Sequence, residues 1–407
     1  MSTPTRKAGR VGRGAVSNSA GRFETFTKEA VDDGWGSLDE PLPPFVTTVQ
    51  AEPARSIITR NQSPDIPFDQ SINPYRGCEH GCIYCYARPS HAYLNLSPGL
   101  DFESKLFFKR DAARLLEQEL SAPGYRCAPL TIGANTDPYQ PIEREHRVTR
   151  AVLEVLARTR HPLSIITKSS LIERDLDLLA TMAEQNLVVA LVSVTTLDAE
   201  LKRKLEPRAA SPRARLSTIR KLAQAGIPVQ VLVAPVIPVL TDAELENILQ
   251  AAAAAGARSA GYVLLRLPHE LGGLFREWLE RHEPMKSQHV LARLQAMHAG
   301  KDYDSRWGQR QRGSGEYAAL LAQRFRLACA RLGLNQGATF VHNIPIVRAP
   351  ARYAGAAHAD LNVRVHTMQC VWTCRFCCRW SLTGRCAGVL RAARLVAIRP
   401  PGCERMS

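Results

Sequence analysis

Between residues 56 and 300, short β-branched and aliphatic runs alternate with longer stretches of mixed polarity. Leu130–Gly133, Leu163–Thr167, Leu187–Ser193, Val229–Ala234 and Ala260–Leu265 read as strands, and Ser71–Asn73 as a strand entering a cysteine-rich loop. Helices are predicted over 143–159, 172–185, 212–225 and 241–255. The second carries Leu176, Leu179 and Met182 at helical spacing, and the third stops at Gly226. Strands that alternate with helices in this way predict a parallel α/β fold. Counting the strand before the cysteines gives six β/α units, so the expected fold class is α/β, a partial (β/α)6 barrel. The expected domains are a basic, Pro-rich N-terminal arm over 1–55, the barrel over 56–300, closing C-terminal helices over 301–337, and an Arg/Cys-rich tail over 338–407.

In β/α barrels the chemistry sits at the C-terminal ends of the strands. That rule nominates Thr136, Asp137, Gln140 and Glu143 after the second strand, although Asp137-Pro138 also suits a plain turn. Lys168 ends the third strand, where it suits a carboxylate or phosphate, or else is a surface lysine. Ser193 and Thr195 end the fourth and lead to Arg208. Arg208 suits a carboxylate ligand in bidentate fashion, or a structural salt bridge to Glu206 or a neighbouring acid. Pro235–Pro238 offers an apolar wall, and Arg266 and His269 end the sixth strand. His269 reads equally as an acid/base group or a polar cap.

The densest chemistry is Cys78, Cys82 and Cys85, a C-x3-C-x2-C triplet between Gly77 and the run Tyr84-Cys85-Tyr86. A structural zinc wants four ligands, and no fourth Cys or well-spaced pair of Cys/His follows nearby. Cys thiolates are the usual ligands of a [4Fe–4S] cluster, and three of them leave one iron open. Gly77 and Gly81 let the backbone wrap closely. The competing reading is a zinc-binding or redox-active loop.

The longer string Asn73-Pro-Tyr-Arg-Gly-Cys-Glu-His-Gly-Cys-Ile-Tyr-Cys-Tyr-Ala-Arg88 resembles the cluster motif of radical S-adenosylmethionine (SAM) enzymes. More narrowly, it resembles the branch related to spore photoproduct lyase, also called DNA repair photolyase-like. The resemblance extends over about residues 10–335. It implies a partial (β/α)6 radical SAM barrel and a [4Fe–4S] cluster on Cys78, Cys82 and Cys85. It also implies SAM bound at the open iron, and a reductase, flavodoxin or ferredoxin as electron donor. It places Tyr84 near adenine and Ser193 and Thr195 near the ribose or methionine part of SAM. Thr136 and Asp137 then face the SAM ammonium or the substrate, and Arg208 faces the SAM carboxylate. It names no catalytic acid or base, because hydrogen abstraction by a 5′-deoxyadenosyl radical needs none at the first step. In spore photoproduct lyase a cysteine after the second strand returns hydrogen to the product. This chain has Asn135 there, and Cys127 lies before the strand. Literal photoproduct repair is therefore not expected.

Composition adds partners and context. The chain has 407 residues, 45% of them hydrophobic, enough for one large core or two medium ones. No apolar run approaches the roughly 20 residues of a membrane span. No apolar stretch follows the first residues, so a cytoplasmic location is expected. The eleven cysteines then point to metal rather than disulfides, given a reducing compartment and the C-x-x-C pairs Cys82/Cys85 and Cys374/Cys377. The net charge of +15 suggests nucleic acid or a phosphorylated substrate. A nucleic-acid-binding protein with a structural or redox-sensing cluster is the alternative function. The tail holds ten Arg and no Lys, with Asp360 and Glu404 as its acids, so it contributes +8 of that charge. It also repeats the triplet at Cys370, Cys374 and Cys377, readable as a second cluster or as chance spacing in a tail of doubtful origin. The string 300–315, with Arg306, Arg310 and Arg312 beside Tyr303 and Trp307, reads as a nucleic-acid grip or a salt-bridged connector.

Overall fold

The computed structural model describes residues 12–24 and 46–336, all within the compact unit Met1–Ala356. The tail and its second cysteine triplet lie outside the described residues. The strands are β1 (Thr48–Ala51), β2 (Ile58–Arg60), β3 (Gln70–Ile72), β4 (Tyr75–Arg76), β5 (Lys105–Phe108), β6 (Leu130–Ile132), β7 (Leu163–Thr167), β8 (Val188–Ser193), β9 (Val229–Val236) and β10 (Ser259–Leu264). Seven form one sheet in the order β10-β9-β8-β7-β6-β3-β2. Its six strands from β3 to β10 are mutually parallel, and β2 is an antiparallel edge. The expected partial barrel of six β/α units is what forms. A parallel sheet is covered on both faces, which is why all six residues of β8 are buried.

The free edge of β10 is closed by loop groups. Leu264 N–H donates to Gln311 O at 2.9 Å. The Asn335 amide accepts from Ala260 N–H at 2.8 Å and donates to Ala260 O at 3.1 Å, so it mimics a paired strand. The barrel's open seam is bridged by Asp65, which accepts from Gly308 N–H at 2.6 Å and from Arg310. Arg310 also stacks on Trp307 at 4.1 Å, and Arg306 pairs with Asp304. Arg306 and Arg310 of the arginine-rich string are thus held in salt bridges with Asp304 and Asp65.

Some expected elements differ. The helix expected over 143–159 is two, Glu143–His146 and Val148–Arg158, broken at Arg147 with φ +49°. The break lets the Glu143 carboxylate accept from Thr149 N–H at 2.9 Å and cap the second helix. The stretch 172–185 is a 3-10 turn, Ser170–Asp175, followed by an α-helix, Leu176–Glu184. The sixth strand stops at Leu264, so Arg266 and His269 lie in the loop beyond it. A further helix, Leu271–His282, buries Phe275 and Trp278. A second sheet, β1-β5-β4, brackets the cysteine loop, and β1 comes from the stretch expected as a basic, Pro-rich arm. Residues 12–24 are also docked, for example by Asn18 on Asp101 at 3.0 Å.

Two buried histidines give the fold a pH dependence. His161 Nδ1 donates to Pro162 O at 3.0 Å, which leaves Nε2 to accept from the Tyr125 hydroxyl at 2.8 Å. Burial pulls its pKa from 6.5 down to about 4, and His91 is shifted in the same way. Below pH 6.5 the unfolded chain takes up protons that the folded chain refuses. Stability therefore falls as pH drops towards 4, by up to about 1.4 kcal/mol per pH unit for each group. The urea midpoint is expected to drop between pH 7 and 5, and His161→Asn to flatten that slope. Equal slopes in both proteins would refute the assignment.

Candidate active site at the cysteine loop

The loop from Asn73 to Arg88 joins the C-terminal end of β3 to a 3-10 helix, Arg88–Leu94. It is a chain of tight turns. Gly81 N–H reaches Cys78 O at 3.4 Å, Cys85 N–H reaches Cys82 O at 3.2 Å, and Arg88 N–H reaches Cys85 O at 3.1 Å. Each cysteine thus sits about one turn from the next. Gly77 and Gly81 have φ of +71° and +69°. A Cβ on Gly81 would lie 2.8 Å from the Glu103 carboxylate, so glycine there is required by protein contact as well as by φ.

The three thiols are free, with Cys78 and Cys82 buried and Cys85 half-buried. They lie within one another's electrostatic reach. Burial, with Asp137 and the companion thiols, pushes Cys78 well up. Burial and Glu206 push Cys82 up to about 12, against the pull of Lys168. Such thiols become good ligands only when a cation replaces their protons. Among the described residues no group of three or more His, Cys, Asp or Glu closes on one point to hold a single ion. A cubane binds its cysteines at separate corners, so its thiolates need not converge. The donor set fits an iron–sulfur cluster.

The loop after β6 clamps the cysteine loop. Thr136 donates to Tyr75 O at 2.7 Å. Gln140 accepts from Glu79 N–H at 2.9 Å and donates to Gly77 O at 3.1 Å. Glu143 accepts from the Tyr75 hydroxyl and pairs with Arg174. Asp137 accepts from Thr167 and from Lys168 N–H, each at 2.7 Å, and faces His80 at 3.3 Å. Burial would raise the Asp137 pKa, but His80 and these donors outweigh it and hold it at about 2.

Tyr84, Ser193 and Thr195 converge on a second buried unit. Glu206 accepts from Thr195 at 2.8 Å, from the Tyr84 hydroxyl and from Arg215. Arg215 donates to Ser193 O at 3.0 Å. Arg208 is not in this unit: its partner is Glu79 at 3.0 Å, and its N–H donates to His80 O at 3.2 Å. The sequence reading did not single out Arg215. A signal existed, because Arg215 shares the buried stripe of helix Pro212–Gln224 with Ile219 and Leu222, where a charge is anomalous.

Two cations lie near the loop's tyrosines, and Lys168 also acts on the Cys82 thiol. Lys168 Nζ stands 5.9 Å from the Tyr84 ring. Burial works against its ammonium, but Cys82 and Glu206 prevail and raise its pKa. Arg266 lies 4.0 Å over the ring of Tyr86, whose hydroxyl donates to Ala134 O. Asn135 donates its N–H to Asn73 Oδ1 at 2.8 Å. His269 is exposed, with φ +52°. Val236 and Ile237, from the expected apolar wall, are fully buried core residues.

Residues 72–252, which contain this loop and its clamps, match the model of the Radical SAM superfamily. The chain carries a radical SAM domain. An uncharacterized protein of Mycobacterium tuberculosis is 41% identical over 221 residues, 54% of this chain and 65% of that protein. The match therefore spans just under two thirds of the relative's length. An uncharacterized protein of Methanocaldococcus jannaschii is 30% identical over 42% of this chain and 62% of that protein. Among solved structures, a cysteine mutant of spore photoproduct lyase superposes with a TM-score of 0.52 at 16% identity, covering 70% of this chain and 80% of that one. Another mutant, with bound AdoMet and dinucleoside spore photoproduct, gives 0.50 at 18% identity over the same shares. The radical SAM domain thus has the fold of spore photoproduct lyase. No helix among the described residues is long and apolar enough to cross a membrane.

Proposed function

We propose that this chain is a radical SAM enzyme whose Cys78, Cys82 and Cys85 hold a [4Fe–4S] cluster. The observation that carries the reading is three free thiols on one turn-built loop at the C-terminal end of a parallel barrel strand, inside the matched segment. When bound, the reduced cluster supplies the electron that splits SAM into methionine and a 5′-deoxyadenosyl radical able to abstract hydrogen from a substrate. The chain's own residues bind and orient. Lys168, over Tyr84, and Arg266, over Tyr86, provide positive charge near the cysteine loop for an anionic group, the SAM carboxylate or a substrate phosphate. Tyr84, Ser193 and Thr195, buried with the Glu206–Arg215 unit, would back the SAM side from within, while Thr136 and Asp137 hold the loop and its neighbouring strand ends in register. Arg208 would meet a ligand from its ion pair with Glu79.

A nucleic acid or a phosphorylated substrate suits the net charge of +15, of which the tail carries +8 and the rest of the chain +7. The dinucleoside photoproduct seen in the structurally similar lyase points the same way. Asn135 argues against photoproduct repair itself, since an amide has no hydrogen atom to return as readily as a thiol. Anaerobic protein loaded with iron and sulfide, given dithionite and SAM, is expected to form 5′-deoxyadenosine. The same preparation is expected to leave spore photoproduct unrepaired. Absence of 5′-deoxyadenosine from a cluster-loaded protein would refute the enzyme reading and favour a nucleic-acid-binding protein with a structural or redox-sensing cluster. Thymine formed from photoproduct would overturn the conclusion drawn from Asn135.

A further inference from the structure

Arg88 is completely buried directly behind the cysteine loop, and all five of its N–H groups are taken. Nε donates to Cys82 O at 2.9 Å, and Nη2 to Gly81 O at 3.2 Å. Nη1 donates to Pro98 O at 3.1 Å and to Gly99 O at 2.9 Å. The remaining Nη2 proton goes to Glu103 at 2.5 Å. Gly81 O and Cys82 O belong to the two peptide groups that flank Cys82, so one guanidinium holds both.

Glu103 is equally buried and links the pair to the N-terminal segment. Its carboxylate accepts from Gly14 N–H at 2.9 Å and from Ala15 N–H at 2.8 Å. Its main-chain carbonyl accepts from Arg13 at 2.7 Å. Gly14 lies so close to the loop that a Cβ there would be 1.7 Å from Gly81 O. That contact is with backbone, so no side-chain adjustment relieves it.

A buried ion pair is a poor way to gain stability, because desolvation offsets the attraction. Fully hydrogen-bonded, it is a good way to hold one geometry. We propose that Arg88, Glu103 and the Gly14–Ala15 backbone form a positioning unit for the cluster ligand Cys82. Residues 12–24 are then an integral wall of the cluster site rather than a dispensable arm. The inference rests on the cluster assignment made above. Groups outside the ligand shell of a metal commonly change its retention by 10-fold or more, and fixed peptide dipoles near a sulfur tune its potential.

The test uses the full chain, loaded anaerobically with iron and sulfide, as wild type, Gly14→Val and Glu103→Gln. Arg22→Ala serves as a control, since it breaks an exposed contact of the same segment with Glu270. Both test variants are expected to lose iron on gel filtration about tenfold more readily than wild type. The midpoint potential and the electron paramagnetic resonance spectrum of their remaining cluster are expected to shift. Their iron-free forms should keep the wild-type circular dichroism and a cooperative urea transition, at a midpoint lowered by the buried Arg88 left without its anion or by the Gly14 clash, and Arg22→Ala should behave as wild type throughout. Wild-type iron retention, potential and spectrum in both test variants would overturn the proposal. So would iron loss that merely follows unfolding of the iron-free protein. A wild-type chain that takes up no iron would refute the cluster assignment itself, and the positioning role with it.

Discussion

Cys82→Ala is expected to abolish cluster binding and with it all SAM cleavage. A cubane held by three thiolates from one loop has no spare protein ligand, and Cys82 is the central one of the three. Its site is buried, and the peptides on both sides are held by Arg88, so no neighbouring group can swing in as a substitute. After anaerobic reconstitution the variant should lack the brown absorption of an iron–sulfur protein and form 5′-deoxyadenosine only at the protein-free rate. Cys127→Ala is the matched control. Cys127 precedes β6 at the opposite end of the strands, and its loss should leave both signals intact. A Cys82→Ala protein that keeps its cluster and cleaves SAM would sink the ligand assignment.

The second large effect is on stability. Arg215→Met is expected to cost about 3–5 kcal/mol at pH 7, because it leaves the Glu206 carboxylate buried without its cation. Both side chains are almost fully buried, so solvent screening offers little relief. Burial alone would raise the Glu206 pKa, yet Arg215 and Lys168 outweigh it and hold it at about 2. In wild type this carboxylate therefore stabilises the fold above pH 4.5, and the contribution is lost as pH falls towards 2. Without Arg215 the carboxyl protonates more easily, so the deficit of the variant should be largest near neutrality and shrink in acid. The double variant Arg215→Met/Glu206→Gln should recover part of the loss. Urea unfolding at pH 7 and pH 5 measures all three. A single-variant cost under about 1 kcal/mol would mean that water or Lys168 already neutralises Glu206.

These two predictions mark different depths of legibility. The cysteines were readable because three thiols at short spacing on one loop are a property of the chain. The barrel strands were readable for a similar reason. Strands buried on both faces appear as uninterrupted apolar runs, as in Leu187–Ser193, and the helices between them carry periodic stripes. The second sheet was not readable. Its strand Tyr75–Arg76 is two residues long and gains its identity only from β5, about thirty residues away. The N-terminal segment reads as a polar arm for the same reason: its docking depends on Glu103 and Asp101, which nothing local announces.

The polar residues at the strand ends show the same division. Their position followed from the barrel rule, but their partners did not. Thr136 and Gln140 turned out to hold the cysteine loop, and Glu143 to cap a helix while bonding Tyr75. Arg208 meets Glu79, whereas Glu206 meets Arg215.

The sequence alone determined the α/β class, the six parallel strands and the three thiols of one loop, because burial periodicity and ligand spacing are local constraints. Only the tertiary structure decided which carboxylate meets which guanidinium, and that residues 12–24 pack against the cysteine loop. Those choices depend on which charges lose their water together, and desolvation is set by chain segments far apart in sequence.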